Sequence, residues 1–375
     1  MAKFDQRKHR PDTFVRNKIT ILPVANGEYV LLRGDGYIDI PEPEANSIQR
    51  YDTSRLEDIK SIPWRDGIHS EPQAIDTLFM SSAVKSFVRD ETLVLTIRGK
   101  FRSRPFSFRF LSDAGDQRIN VDGAQLEIDS GYEGKLLVLL EAKLGSVTDT
   151  IVRQLYYPFM HFQGLDLGKR IVCLFLVYSN KVYSLYEFSF GRPGTYGASI
   201  SRQDHYTLED TSTLPRFADV VSSKVLSAPS GIPFPQADDL SKIIDVVEVL
   251  TSGAEDKFGI AEKFDVDPRQ GDYYGNGAIW LGLAQKSNGL YRSTQSGAEF
   301  SSLDRSKRLA RLGEIVSAMP VFHEAATERV RAGQVDLDKI SQSLIRRFGF
   351  SQSTGERRAL TVRSWIEWLA SELRH

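Results

Sequence analysis

The feature that most constrains the fold is the stretch KLLVLLEAKLG, Lys135 to Gly145. Leu136 to Leu140 is an unbroken aliphatic run, which a water-exposed chain normally buries on both faces of a central strand. Glu141 and Lys143 close that strand, and being two residues apart they project from the same face. An acid and an amine carried to a sheet's edge are either pairing with each other or doing chemistry. The flanking segments QLEIDSGYEG and SVTDTIVRQLYYP place more carboxylates on otherwise apolar strands, so the whole stretch Gln125 to Pro158 is the candidate site.

The chain has 375 residues, and at roughly 100 to 200 residues per domain this predicts about two to four units. Hydrophobic content of 41% and charged content of 26% are those of an ordered chain with a packed core. No apolar run approaches the roughly 20 residues that cross a bilayer, and the polar start MAKFDQRKHR has no apolar signal segment. No membrane partner is expected. The single cysteine, Cys173, cannot form an internal disulfide and sits in IVCLFLVY, where a small buried side chain is expected. A cytoplasmic location follows. A net charge of -1 argues against a general polyanion coat, but basic residues outnumber Asp90 and Glu91 between Lys85 and Arg109. Such local patches suit a site-specific DNA binder.

In chain order, residues 1–68 read as a β-rich region whose clearest element is a hairpin from Lys18 to Ile40, turned at Ala25, Asn26 and Gly27. Residues 69–226 read as a mixed α/β (α+β) unit with one central sheet. Ser70 caps a helix running to about Val88, with Gln73 three residues on and Glu71 in its first turn. Strands Thr92 to Arg98 and Pro105 to Phe110 follow, joined by the basic turn GKFRSR. That turn offers Arg102 and Arg104 to phosphate. Next come a strand from Ile119 to Asp129, the strand ending at Lys143, a helix from about Val147 to Phe162, and strands Ile171 to Tyr178 and Val182 to Phe188.

Residues 227–236, rich in proline, read as a linker. Beyond it, over 237–300, three short helices lead to Asn288-Gly289, a dipeptide that demands a tight primed hairpin. Asp267 caps the third helix with Pro268 at its first position. This is the plan of a winged helix, and Arg269, Gln270, Tyr273 and Asn276 near the start of its third helix are the candidate DNA contacts. Arginine and asparagine read guanine and adenine edges, and tyrosine meets phosphate. Residues 301–375 predict a second helix-turn-helix unit. Its terminal helix opens on a Ser353/Glu356 capping box, turns Leu360, Trp365, Ile366 and Leu369 inward, and offers Arg357, Arg358 and Thr361 to DNA.

Glu141, Ala142 and Lys143, with an acid on an earlier strand, match the pattern of the PD-(D/E)XK nucleases, and helix, three strands, helix, strand is that superfamily's core order. The wording LEIDSGYEG, LLEAKLG and VRQLYYP resembles a family of type II restriction endonucleases. RQGDYY with its wing and STGERRALTVRSWIEWL resemble the DNA-binding C-terminal part of the same proteins. The resemblance runs from about Glu71 to the C-terminus and is weak over Met1 to Gly67. It implies a Mg²⁺ ion held by Glu141 and one upstream acid. Asp129 matches the family's aspartate by wording, Glu127 shares a face with it, and a turn centred on Ser130 to Glu133 would instead set Asp122 opposite Glu141. The proline that names the motif is missing. Gln154 matches a glutamine that some relatives aim at the site, although Tyr157 follows at three residues and Pro158 takes the fourth position. Glu71 matches the place of an accessory metal ligand.

Physical chemistry agrees with that assignment. A phosphodiester repels nucleophiles, and Mg²⁺ on hard oxygen ligands offsets its charge and acidifies a water while keeping several waters of its own. Lys143 would steady the attacking water and the developing charge. The expected function is therefore a type II site-specific deoxyribonuclease acting on double-stranded DNA. A homodimer would follow from a palindromic target, and a cognate DNA methyltransferase would be a genetic rather than a physical partner. The alternatives are another PD-(D/E)XK nuclease, for repair or modified DNA, and a winged-helix regulator with a degenerate nuclease core.

Overall fold

The computed structural model describes residues 4–374 apart from 63, 66, 113–114, 193, 210–213, 228 and 230. The chain opens with helix α1 (Asp12–Arg16) and the expected hairpin of β1 (Ile19–Ala25) and β2 (Glu28–Arg33), followed by the short strands β3 (Tyr37–Asp39) and β4 (Ile48–Arg50). Ser70 then accepts the Gln73 amide and starts α2 (Glu71–Met80). The helix expected to reach Val88 stops early. The Ser81 hydroxyl bonds to the Leu78 carbonyl and Ser82 takes a left-handed φ of 72°, so a second helix, α3 (Ala83–Val88), begins afresh.

Strands β5 (Val94–Arg102), β6 (Phe106–Phe110), β7 (Gln117–Val121), β8 (Gln125–Glu133) and β9 (Leu137–Leu144) come next, then β10 (Asp149–Ile151) and α4 (Arg153–Gln163). Strands β11 (Ile171–Ser179), β12 (Val182–Ser189) and β13 (Ser199–Thr207) and the one-turn helix α5 (Phe217–Val220) complete this half. A mixed sheet of seven strands runs in the order β4-β13-β12-β11-β9-β8-β5. Strand β9 pairs antiparallel with β8 and parallel with β11, with α4 in the crossover. Val138, Leu140, Ala142 and Leu144 join one apolar cluster and Leu137 and Leu139 another, so β9 is buried on both faces as its aliphatic run predicts.

Four local expectations are corrected. GKFRSR is not a hairpin tip: β5 runs through Arg102 and pairs with β8, while β6 pairs with β7 in a separate ribbon. The ladder stops because Ser103 turns to bond the Ala124 backbone twice and Pro105 has no amide to offer. The strand from Ile119 to Asp129 is two strands, broken at Gly123 with φ of 68°. Helix α4 begins at Arg153 rather than near Val147, because Asp149 to Ile151 pair with β3. The turn between β8 and β9 lies at Gly134 to Leu136 rather than at Ser130 to Glu133.

The second half is built from α6 (Leu240–Leu250), α7 (Lys257–Lys263), α8 (Pro268–Trp280), the hairpin β14 (Ala284–Ser287) and β15 (Leu290–Ser293), and then α9 (Gln295–Ser302), α10 (Arg305–Ser317), α11 (Pro320–Ala332), α12 (Leu337–Phe348) and α13 (Gln352–Glu372). Asn288 and Gly289 both take positive φ, 52° and 79°, as a primed turn requires. The stretch 227–236, of which 228 and 230 lie outside the described residues, is more than a tether. Its Phe234 inserts among Trp280, Phe322 and Phe348 and fastens the helices of 237–300 to those of 301–375. Helix α13 is capped by Ser351, not Ser353, and Leu360 faces solvent at 46% exposure. Ala359, Val362, Trp365, Ile366 and Leu369 fill the inner face at helical spacing.

Glu248 of α6 joins the two halves. It accepts the Ile68 amide at 2.7 Å, the Tyr178 hydroxyl at 2.7 Å and Arg308 Nη1 of α10 at 2.6 Å. Both charges are out of water, at 0% and 1% side-chain exposure. Removing one partner strands the other, so Glu248→Ala should cost about 3–5 kcal/mol, read as a lowered urea midpoint. An unchanged midpoint would mean that the halves are held by apolar contacts alone.

Candidate active site at the end of strand β9

The ladder between β8 and β9 ends at Ser130 opposite Leu140. One residue further the strands part, and the Asp129 carboxylate takes over: its Oδ2 accepts the Ala142 amide at 2.8 Å. This brings Asp129 beside Glu141 and leaves Asp122 out, in the loop before β8, where its amide bonds Val24. The later turn is the reason. Moving it by a few residues changes which acid meets Glu141. Glu127 lines the same cavity from its rim, exposed and 3.4 Å from Lys100.

On β9, Lys143 Nζ donates to Glu141 Oε1 at 3.0 Å. Gln154, in the first turn of α4, donates its Nε2 to the same oxygen at 2.7 Å, and its own Oε1 accepts the Thr150 hydroxyl at 2.9 Å, which fixes the amide's orientation. The spacing to Tyr157 therefore does not keep Gln154 from the site. Tyr157 turns away and bonds the Pro23 carbonyl. Glu71 enters from the start of α2. All five expected residues, Glu71, Asp129, Glu141, Lys143 and Gln154, line one cavity of about 160 Å³. Gly145, with φ of 81°, ends β9 where a Cβ would meet the Phe264 ring at 2.7 Å, so the strand's end packs directly on the chain leaving α7.

Two residues in this cavity carried no weight in the sequence, Asp5 and Arg153. Arg153 had a faint signal, since a cation in a helix's first turn opposes the macrodipole. Asp5 had none, because its place depends on a long-range return of the chain.

The charges do not balance within the site. Burial raises the carboxyl pKa of Asp129, and burial followed by Asp129 raises Glu141 well above the ordinary range. Glu71 is pushed up to about 7, by burial first and by Asp129 in addition, against the pull of Lys143. Burial works to lower Lys143, but Glu141, Glu71, Asp5 and Asp129 together outweigh it and keep the ammonium protonated. Three acids, Glu141 buried and Glu71 and Asp129 partly so, thus share one lysine. Among the described residues no three His, Cys, Asp or Glu side chains are placed to hold one ion together. Two carboxylates are nonetheless a sufficient protein share for a hard divalent cation that keeps its waters, and the surplus of buried negative charge is what such a cation would relieve.

The nucleic-acid candidates divide. Arg269 is exposed, with its Nε 2.6 Å from the Tyr273 hydroxyl and its guanidinium over that ring. Arg357 is exposed, and Arg358 is half-buried with Nη1 on the Pro235 carbonyl at 3.1 Å. Burial and then Arg357 lower the Arg358 pKa, and Tyr273 is among the groups facing it, so the starts of α8 and α13 are neighbours. Thr361 is a correction: at 3% exposure it belongs to the core, because it lies on the flank of α13 turned inward. Asn276 is held by Asp272 and Tyr291, and Gln270 is half-buried, so neither is presented freely. Arg102 and Arg104 are both exposed, and the Arg104 amide bonds His161. A wider groove of about 1060 Å³ beside α9 and α10 is lined by the cations Lys224 and Arg311, the second already paired with Glu314.

Three family models match the chain: Domain of unknown function (DUF6996) over residues 1–31, Domain of unknown function (DUF6997) over 32–207 and Domain of unknown function (DUF7226) over 242–374. No curated protein and no solved structure matches. The first boundary cuts β2, the second model ends with β13, and the third spans α6 to α13 as one unit. Asp5 therefore reaches the site from the first matched region and the remaining site residues from the second. Among the described residues no helix is long and apolar enough to cross a membrane.

The raised Glu71 pKa has a stability consequence. Between its unfolded value of 4.5 and about 7 the folded chain holds a proton that the unfolded chain has released, so stability falls as pH rises through that window. Glu71→Gln should remove this dependence and stabilise the metal-free chain at pH 8 by on the order of 2–3 kcal/mol, with no gain at pH 4. Parallel melting curves of the two chains from pH 4 to 8 would contradict the assignment.

Proposed function

We propose that this chain is a Mg²⁺-dependent nuclease of the PD-(D/E)XK kind, acting as a type II restriction endonuclease on double-stranded DNA. The observation that carries the reading is the convergence of Asp129, Glu141 and Lys143 from adjacent strands on one buried cavity with too much negative charge for its single lysine. With the β6–β7 ribbon and the short β10 as insertions outside the main sheet, the order α2–α3, β5, β8, β9, α4, β11 supports it, being the core order that the resemblance implies. Helices α6 to α8 with the hairpin β14–β15 have the plan of a winged helix. The exposed Arg269 and Arg357 and the half-buried Arg358, on neighbouring helix starts, would offer a duplex a basic face.

Asp129 and Glu141 would hold the metal, with Glu71 alongside. When bound, Mg²⁺ supplies a neutralised phosphodiester and an acidified water. Lys143 keeps its proton among the acids and presents an ammonium where charge develops on the phosphorus oxygens. Gln154, itself fixed by Thr150, holds the Glu141 carboxylate in one rotamer. The same arrangement serves any polynucleotide phosphodiester. Duplex recognition and sequence specificity come into the reading through the helical half.

The decisive experiment incubates the chain with Mg²⁺ and plasmid or phage DNA and sequences the ends. Discrete fragments sharing an end sequence are expected. Random degradation would remove the restriction reading, and intact DNA would remove the nuclease. Lys143→Ala should slow Mg²⁺-dependent cleavage by about 10²–10³-fold or more while duplex binding stays within about twofold; full cleavage would sink the site. Replacing Arg357 and Arg358 together with alanine should weaken duplex binding by at least about 1 kcal/mol and flatten its salt dependence. Unchanged binding over a salt series would take α13 out of the interface.

A further inference from the structure

The segment from Phe4 to Arg10 brings Asp5 into the wall of the cavity and is held in place by polar contacts. Tyr37 donates its hydroxyl to the Phe4 carbonyl at 2.6 Å, and the Ile151 amide donates to the Asp5 carbonyl at 2.9 Å. The Arg7 amide donates to Asp149 at 2.7 Å, and the Arg7 guanidinium pairs with Asp35 at 2.7 Å and also with Asp39. These contacts set the Asp5 side chain, in a residue only 8% exposed, inside the cavity. Its Oδ1 lies 3.5 Å from Arg153 Nη2.

With Asp5 the cavity is lined by four carboxyl groups, Asp5, Glu71, Asp129 and Glu141, besides Glu127 at its rim, against two cations, Lys143 and Arg153. Asp5 adds negative charge to a cavity that already has Glu71, Asp129 and Glu141, and its charge acts on Lys143 as well as on Arg153. At 3.5 Å the contact with Arg153 is an ion pair rather than the two-pronged hydrogen bond that a guanidinium makes with a well-matched oxyanion. The seat also has costs. The Gln6 side chain, in a residue 2% exposed, finds no hydrogen-bond partner among the described residues, and the Lys8 ammonium, although exposed, has its pKa lowered to about 8, by loss of hydration first and then by the like charge of Lys242. A carboxylate held over two site cations by a segment with such costs has the chemistry of a replaceable anion.

We propose that Arg153 is a phosphate-binding subsite for a polynucleotide backbone, and that Asp5 occupies it in the free chain in place of a substrate phosphate. This rests on the nuclease reading for the identity of the phosphate, but not for the existence of the subsite. Arg153 is then a positioning residue that holds a phosphate next to the reacting one, and substrate enters only as Asp5 leaves.

The test uses the full chain in EDTA with the dinucleotide pdTpdT as probe, followed by ³¹P line broadening. Asp5→Asn, nearly isosteric, should tighten binding by about tenfold over the parent, the scale of one charge contact. Asp5→Ala, as companion variant, should do the same. Adding Arg153→Gln should return binding to the parent level or below, while Arg153→Lys should keep part of the gain. No tightening in either Asp5 variant, or tightening that survives Arg153→Gln, overturns the subsite. The plasmid assay separates the two readings. Tightening without cleavage by any variant leaves the subsite and removes the nuclease; cleavage without tightening does the reverse.

Discussion

Everything in this molecule is arranged around the need to bury β9 on both faces. An aliphatic strand with no polar side can be satisfied only in the middle of a sheet, covered on each side. That requirement places β8 and β11 beside it, α4 across one face, and α2 and the helical half over the other. It also carries Glu141 and Lys143 to where the sheet's apolar covering ends. Charges there are neither fully hydrated nor fully paired, which is the condition under which carboxylates resist ionisation and attract a cation.

The helical half does more than add a second unit. Its α6 supplies Glu248, which ties Tyr178, near the end of the central strand β11, to Arg308 of α10, and the Phe264 ring closes on Gly145 just past the site strand. The candidate site and the exposed arginines on α8 and α13 therefore belong to one packed body. Under the proposed nuclease reading, a duplex bound at those arginines would be presented to the cavity in a fixed orientation, which would couple cleavage to sequence choice.

Much of this was legible in the residues. The central strand, the cap at Ser70, the Asp267 cap and the Asn288-Gly289 turn all follow from local rules, since each is set by the chemistry of a few adjacent side chains. Less was legible where neighbours in space decide. The serine break in the first helix and the split partners of β5 and β6 reflect competition between local hydrogen bonds and a regular ladder. Thr361 looked like a base-reading position by its place near a helix start, yet the packing of α13 turned it inward.

The sequence by itself determined that an acid and an amine would stand together at the end of a buried strand, because alternation along a strand is a local geometric fact. Only the tertiary structure decided their company. The position of the β8–β9 turn chose Asp129 over Asp122, the start of α4 brought Gln154 and Arg153, and the return of the chain's first residues set Asp5 over the cavity. Register, helix start and long-range return are each fixed by packing across the whole fold, and no short window of residues carries them.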